Sequence, residues 1–257
     1  MSAKSRMVSS DEAFSGWLDA LRTRELERLT FREIRKGVVA LSRIYVEERG
    51  RLGKAVFDGA GKRAAFACFY TPLHFLLVRA IVLELGAESP PPGTVHDLGC
   101  GLGAAGAAWA LAAGRSPFVV GVERQKWAAK EARRSFDTLS LEGRIVNKSI
   151  EQAPNAQRGD AVVAAFAVNE LEEAARNTLL ERLRKSRGVS VLIVEPIARR
   201  VHPWWTPWRA AFEERGGRAD EWRFPVELPD WLAELDHASG LDHRELTGKS
   251  LFFPTSP

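Results

Sequence analysis

Cysteine is almost missing from this 257-residue chain, which holds only Cys68 and Cys100. Two cysteines exclude a disulfide framework and a four-cysteine metal site, and they fit a reducing, cytoplasmic setting. Long hydrophobic runs are missing too. The most apolar segment, Leu73 to Leu85, is interrupted by Arg79 and Glu84, which makes it too short and too charged to span a bilayer. The opening residues, MSAKSRMVSSDEAF, contain no apolar core of the length a secretory signal needs. No repeat or low-complexity tract is visible, so a soluble cytoplasmic protein without a membrane partner is expected. Charge of one sign is also scarce: 37 Lys and Arg against 33 Asp and Glu leave a net +4. That mild excess permits an RNA, DNA or anionic cofactor partner without requiring one. What the chain does have is apolar residues, 45% of the total, enough to bury a core in one large domain or two small ones.

The first third reads as helix. Ser9 and Glu12 form a capping-box pattern ahead of Phe14, Trp17, Leu18 and Leu21 at helical spacing. Thr30 and Glu33 repeat the signal. Behind them Phe31, Ile34, Val38, Leu41 and Tyr45 make an apolar stripe, while Arg32, Arg35, Lys36 and Arg43 crowd the other face. That basic face is a candidate RNA surface, with a solvated helix face as the alternative. After the loop DGAGK and the segment RAAFACFY, Thr71 and Pro72 are suited to start a further helix, which Gly86 closes.

The stretch ESPPPG marks a boundary, since its prolines cannot continue a helix and make a stiff connector. We therefore divide the chain into a helical region, 1–88, a connector, 89–93, and a second domain, 94–257. Past the connector, short apolar strands alternate with helices: TVHDL, FVVGVE, GRIVNK, DAVVAAF and VSVLIVE are the strands. Such alternation specifies an α/β fold, a mostly parallel sheet with helices on both faces. HREL-TGK-SLFF predicts a C-terminal antiparallel hairpin with a glycine turn, which brings the expected sheet to seven strands.

VHDLGCGLGAAG follows the first strand and opens a helix. Gly99, Gly101 and Gly103 let the backbone turn sharply and approach a ligand, and the helix from Ala104 presents free N–H groups to it. Gly101, Gly103 and Gly106 also match the dinucleotide G-x-G-x-x-G pattern, so the glycines alone do not name the ligand. Two carboxylates do. Asp97, two residues before the first glycine, repels a pyrophosphate but welcomes an ammonium and a sulfonium. Glu123, ending the next strand, is placed to accept hydrogen bonds from both hydroxyls of a ribose. A cationic methionine moiety joined to a nucleoside is S-adenosylmethionine (SAM). A nicotinamide-dependent oxidoreductase is the less favoured alternative, because no Tyr-Lys or His catalytic pair accompanies the loop.

From Thr94 to Phe253 the chain resembles the class I, Rossmann-like SAM-dependent methyltransferases. DLGCGLG is similar to their D-x-G-x-G-x-G loop, GVERQ to their second acidic motif, and DAVVAAFAVNEL to their fourth strand and active-site turn. The resemblance implies that Asp97, Gly99, Cys100, Gly101 and Gly103 line the methionine end and that Glu123, with Arg124, takes the ribose. Ser149, the Ile150 backbone and Phe166 complete the implied cofactor set, although NKSIEQ lacks the aspartate that often follows the third strand. FREIRKGVVALSRIYVEERGRL, AVNEL and VLIVEP are further similar to methyltransferase-like proteins associated with the small ribosomal subunit. Members of that group often carry a cysteine set for a metal cluster, which two cysteines cannot supply; no metal is expected.

Methyl transfer from a sulfonium is an in-line displacement that rests on alignment, and it needs a base only where the acceptor holds its proton. FAVNEL lacks an N-P-P-Y motif and a Pro-Cys pair, which argues against adenine or glutamine nitrogen and pyrimidine C5 as acceptor atoms. The catalytic candidates are Asn169 and Glu170 in that turn and Glu195 at the end of the fifth strand. For each a structural alternative exists: capping the next helix, or pairing with Arg199 or Arg200. Tyr70 and His74 are candidates to close over the methionine end. The tryptophan-rich RRVHPWWTPW, Arg199 to Trp208, follows Glu195 on the substrate side and supplies His202, Trp204 and Trp205, one of the two tryptophans being expected to wall the site. The basic balance, the N-terminal helix and the ribosomal likeness favour RNA as acceptor. A small metabolite, or a non-catalytic SAM-binding assembly factor, is the alternative reading.

Overall fold

A computed structural model describes residues 9–47, 58–115, 117–197 and 203–255. Both expected capping boxes form. Ser9 accepts from the Glu12 N–H at 3.1 Å while the Glu12 carboxylate accepts from the Ser9 N–H at 2.8 Å, starting α1 (Ser10–Leu26). Thr30 and Glu33 start α2 (Phe31–Glu47) in the same way. The apolar stripes do what their spacing predicts: Phe14, Trp17, Leu18 and Leu21 of α1 and Ile34, Val38 and Leu41 of α2 are buried. Phe14 stacks on Phe75 with ring centroids 4.9 Å apart.

The next element departs from expectation. Thr71 and Pro72 do not start a helix; they lie inside one, α3 (Ala60–Glu84), which runs for 25 residues. Pro72 has no N–H to give to the preceding turn. The helix accommodates it by widening into a π turn over Phe66–Tyr70, where the Thr71 N–H and hydroxyl both reach the Phe66 carbonyl. By length and composition α3 is long and apolar enough to cross a membrane, although the sequence reading weighed only the shorter stretch Leu73 to Leu85; 67% of its 18-residue apolar window is buried inside the protein.

The seven-stranded sheet has the order β3-β2-β1-β4-β5-β7-β6. Its strands are β1 (Thr94–Leu98), β2 (Phe118–Val122), β3 (Gly143–Val146), β4 (Ala161–Ala165), β5 (Ser190–Glu195), β6 (Arg218–Pro225) and β7 (Glu245–Phe253). The first five are parallel and β7 runs antiparallel to both neighbours. The C-terminal antiparallel pair exists, but not as the hairpin expected at TGK. Glu245–Phe253 is one strand, and its partner β6 precedes it across an intervening helix. Gly248 lies mid-strand, where a Cβ would meet Leu77 of α3 at 3.0 Å.

Strand residues alternate between two cores. Val191 and Ile193 face one, and Leu192 and Val194 the other. On the first side pack α6 (Glu173–Lys185) and α7 (Trp205–Glu213); on the second pack α1, α2, α3, α4 (Ala104–Ala112) and α8 (Asp230–Ala238). α5 (Lys126–Thr138) covers β2 and β3 and touches α1, with Arg24 bridging to Glu131 at 2.8 Å. The N-terminal helices thus share one continuous core with the sheet. Between β1 and β4, where the strand order reverses, the carboxyl ends of the parallel strands open beneath α3, the place where such sheets hold ligands.

Candidate active site

The glycine loop leaves β1 by a turn whose geometry only its sequence permits. Gly99 has φ +69°, and a Cβ there would lie 2.7 Å from the Ala167 methyl. Its N–H and that of Cys100 are anchored on the Val122 carbonyl at 2.9 and 3.0 Å. Gly106, one turn into α4, lets the helix press onto β1. A Cβ there would meet Asp97 and Val119 at about 3 Å. That approach brings the Gly106 N–H to Asp97 Oδ2 at 2.8 Å.

Asp97 is 1% exposed, and its other oxygen, Oδ1, is buried without a hydrogen-bond partner among the described residues. Burial pushes its carboxyl up to about 7; the Gly106 hydrogen bond opposes the rise and neighbouring Glu123 adds to it. An unpaired buried carboxylate oxygen is costly unless a cation or donor meets it. Glu123 is arranged differently. Its oxygens accept from the Gly101 N–H at 3.0 Å and the Gln125 N–H at 2.7 Å, which partly offset the upward push of burial. Asn147 ties the end of β2 to β3 by donating to the Glu123 carbonyl at 2.7 Å. Burial, with both carboxylates nearby, pushes the Cys100 thiol well up, so it is no nucleophile at neutral pH.

These groups line a cavity of about 590 Å³. Of the cofactor candidates, Asp97, Gly99, Cys100, Gly101, Glu123, Arg124, Ser149, Ile150 and Phe166 are on its wall. Gly103 is not. It sits at the start of α4 with φ +85°, where a Cβ would lie 2.7 Å from the Phe136 ring, so it serves packing of helix against helix.

Opposite the loop, the cavity is bounded by α3, the β4 turn and the end of β5. Tyr70 and His74 are both on the wall, joined by Phe66 and Thr71 from the π turn. Phe166 holds a left-handed backbone with φ 57°, uncommon for an aromatic residue, and its N–H is fixed to the Val194 carbonyl at 2.8 Å. The conformation lays its ring parallel to His74, with centroids 4.0 Å apart. Burial pushes His74 down to about 4, so its ring is neutral at physiological pH.

All three catalytic candidates also reach the cavity. Glu195 is fully buried and held by Asn169, whose backbone N–H donates to Oε1 at 3.1 Å and whose side-chain amide donates to Oε2 at 2.5 Å. Burial is the main cause that pushes Glu195 up to about 8. The Asn169 N–H and Lys249 oppose the rise, and Glu170 adds to it. The Trp204 indole N–H donates to Asn169 Oδ1 at 2.9 Å, which fixes which way the amide points. Glu170 lines the cavity and is solvent-exposed, yet the protein around it desolvates its carboxyl enough to push it up to about 7, with Arg124 opposing the rise and Glu123 adding to it.

Neither Trp204 nor Trp205 lines the cavity, contrary to expectation. They pack with Trp208 at ring separations of 5.5 and 5.2 Å from Trp204, and the Lys249 ammonium sits 3.9 Å from the Trp205 ring centroid. Both are anchors. His202, with Arg199 and Arg200, lies outside the described residues. Sequence reasoning also missed Phe66, Gln125, Lys148 and Leu171 on the wall. Gln125 was within reach, since it completes the GVERQ motif; Phe66 was hidden by the reading of Thr71 as a helix start. Among the described residues no group of three or more His, Cys, Asp or Glu is placed to hold a metal ion.

Residues 95–186 match the family model described as a methyltransferase domain. The chain carries a methyltransferase domain. The fold agrees with that assignment. The SAM-bound magnesium protoporphyrin IX methyltransferase ChlM from Synechocystis PCC 6803 superposes with a TM-score of 0.51 at 15% identity, over 85% of this chain and 97% of that one. Mitomycin 7-O-methyltransferase MmcR superposes with a TM-score of 0.50 at 12% identity, over 96% of this chain and 71% of that one. At such identities the likeness is one of fold. No curated protein matches the sequence. The sheet is thus the Rossmann-like methyltransferase sheet, and the methyltransferase class read from the glycine loop agrees with the matched domain.

Proposed function

We propose that this methyltransferase acts on a small molecule held in the cavity between the glycine loop and α3. The carrying observation is the charge of the wall. Among the described residues, Asp97, Glu123, Glu151, Glu170 and Glu195 line it against Arg124 and Lys148. Such a wall offers a phosphate backbone few cations, whereas RNA-binding grooves are basic. The basic residues of α2 and α5 lie off the wall. The volume is within the range of about 300–1,000 Å³ common for small-ligand sites.

The residues present fit SAM. The orphaned Asp97 Oδ1 suits the ammonium of its amino-acid end, beside loop positions where a Cβ is excluded. Glu123 suits the ribose hydroxyls, and Ile150 with Ser149 the adenine. When bound, SAM supplies an electrophilic methyl group on a sulfonium. The chain contributes alignment: α3 and the β4 turn form the wall against which the acceptor is held.

Incubating the protein with labelled SAM and a cell extract separated into RNA, protein and low-mass fractions tests this reading. Label is expected in the low-mass fraction. Label recovered in RNA alone would overturn it.

A further inference from the structure

We propose that the methyl acceptor is an amine, received as its ammonium ion by the Glu170 carboxylate against the aromatic wall of α3 and the β4 turn. This rests on the small-molecule reading above and goes beyond it by naming the reacting group. Four observations carry it. Glu170 is on the cavity wall, exposed to the cavity, and its carboxylate makes no hydrogen bond or ion pair with a described residue. Glu195 stands in the same wall, but its oxygens are already engaged by Asn169, which leaves Glu170 as the carboxylate free to meet a ligand. Among the described residues, the elements that bound this half of the cavity contribute no Lys or Arg to the wall. His74 and Phe166, stacked on each other, make this part of the wall aromatic rather than cationic.

The charged groups acting here are few. Arg124 and Glu123 act on Glu170 from the end of β2, and Lys249 acts on Glu195 from β7. His74 is neutral and adds no positive charge. A carboxyl raised towards neutrality is suited to take a proton from an ammonium and release it again. Glu170 takes one N–H proton from the bound ammonium. The freed nitrogen lone pair forms the N–C bond as the sulfonium C–S bond breaks, with its electron pair remaining on sulfur. The product carries the positive charge on nitrogen, and Glu170 passes its proton to water.

The test uses the whole protein saturated with S-adenosylhomocysteine and matched aryl probes: 2-phenylethylamine, 3-phenylpropionate and 2-phenylethanol, with tryptamine and indole-3-propionate as a larger pair. The amines are expected to bind roughly ten-fold or more tightly than their acid and alcohol counterparts, as a charge-assisted contact implies. Glu170→Gln abolishes the preference, and Glu170→Lys reverses it towards the acids, with S-adenosylhomocysteine affinity changed less than about two-fold. Turnover with labelled SAM places label on the amine. Equal or tighter binding of acid or alcohol, a preference that survives both substitutions, or no binding by any amine overturns the proposal. If S-adenosylhomocysteine itself fails to bind the wild type, the underlying cofactor reading falls, and this proposal with it.

Discussion

The two halves of the cavity are built by different means. The cofactor half is made of backbone: a left-handed glycine, a strand end, a helix start, and two carboxylates that hold or await N–H groups. The acceptor half is made of side chains brought from α3, the β4 turn, β5 and, at one remove, α7. Backbone geometry of the first kind tolerates few residues at each position. Side-chain walls of the second kind can be rebuilt without touching the sheet, which is how one fold serves many acceptors.

The comparison breaks most easily at Asp97. Asp97→Ala removes the candidate counter-charge at the methionine end, and we expect cofactor affinity to fall about 10- to 100-fold by calorimetry. Retained affinity would mean that the glycine loop alone holds the ligand. Next comes Gly99→Ala, which places a methyl 2.7 Å from Ala167 on a left-handed backbone. A loss of about 1–3 kcal/mol, seen as a lower thermal midpoint, is expected, together with weaker cofactor binding. An unchanged midpoint would show that the loop relaxes.

Trp204→Phe sharpens the other half. It removes the N–H that orients Asn169 and is expected to cost about 1 kcal/mol of stability. Acceptor turnover should fall several-fold while cofactor affinity holds. A fall in cofactor affinity instead would mean that the two halves are not separable.

The smallest effect concerns pH. The Asp97 carboxyl, raised from 3.8 to about 7, binds its proton more tightly in the folded state than in the unfolded one. Its contribution is therefore most favourable below about pH 3.8 and is lost as pH rises through about 7. Without ligand, Asp97→Asn should melt above the wild type at pH 8, by a margin that narrows towards pH 5. A constant margin would contradict the raised carboxyl.

The same contrast explains what the sequence disclosed. VHDLGCGLG and GVERQ were legible because turn, strand end and counter-charge each demand a residue type at a fixed spacing. The strands TVHDL and VSVLIVE were legible because buried parallel strands are continuous apolar runs. β6 was not, since the edge strand RADEWRFP is polar and half-exposed along its length. α3 was misread because Thr71-Pro72 carries the chemistry of a helix start, and only the surrounding core makes a π turn the better solution. Trp204 illustrates the limit most clearly. Its aromatic ring suggested a wall, while its place in the fold makes it the brace behind Asn169.

The central claim is that the carboxyl ends of β1 and β2 hold SAM. Calorimetric titration of the wild type with S-adenosylhomocysteine and with NAD tests it most directly. The account predicts one S-adenosylhomocysteine per chain and no NAD; binding of NAD, or of neither, would contradict it.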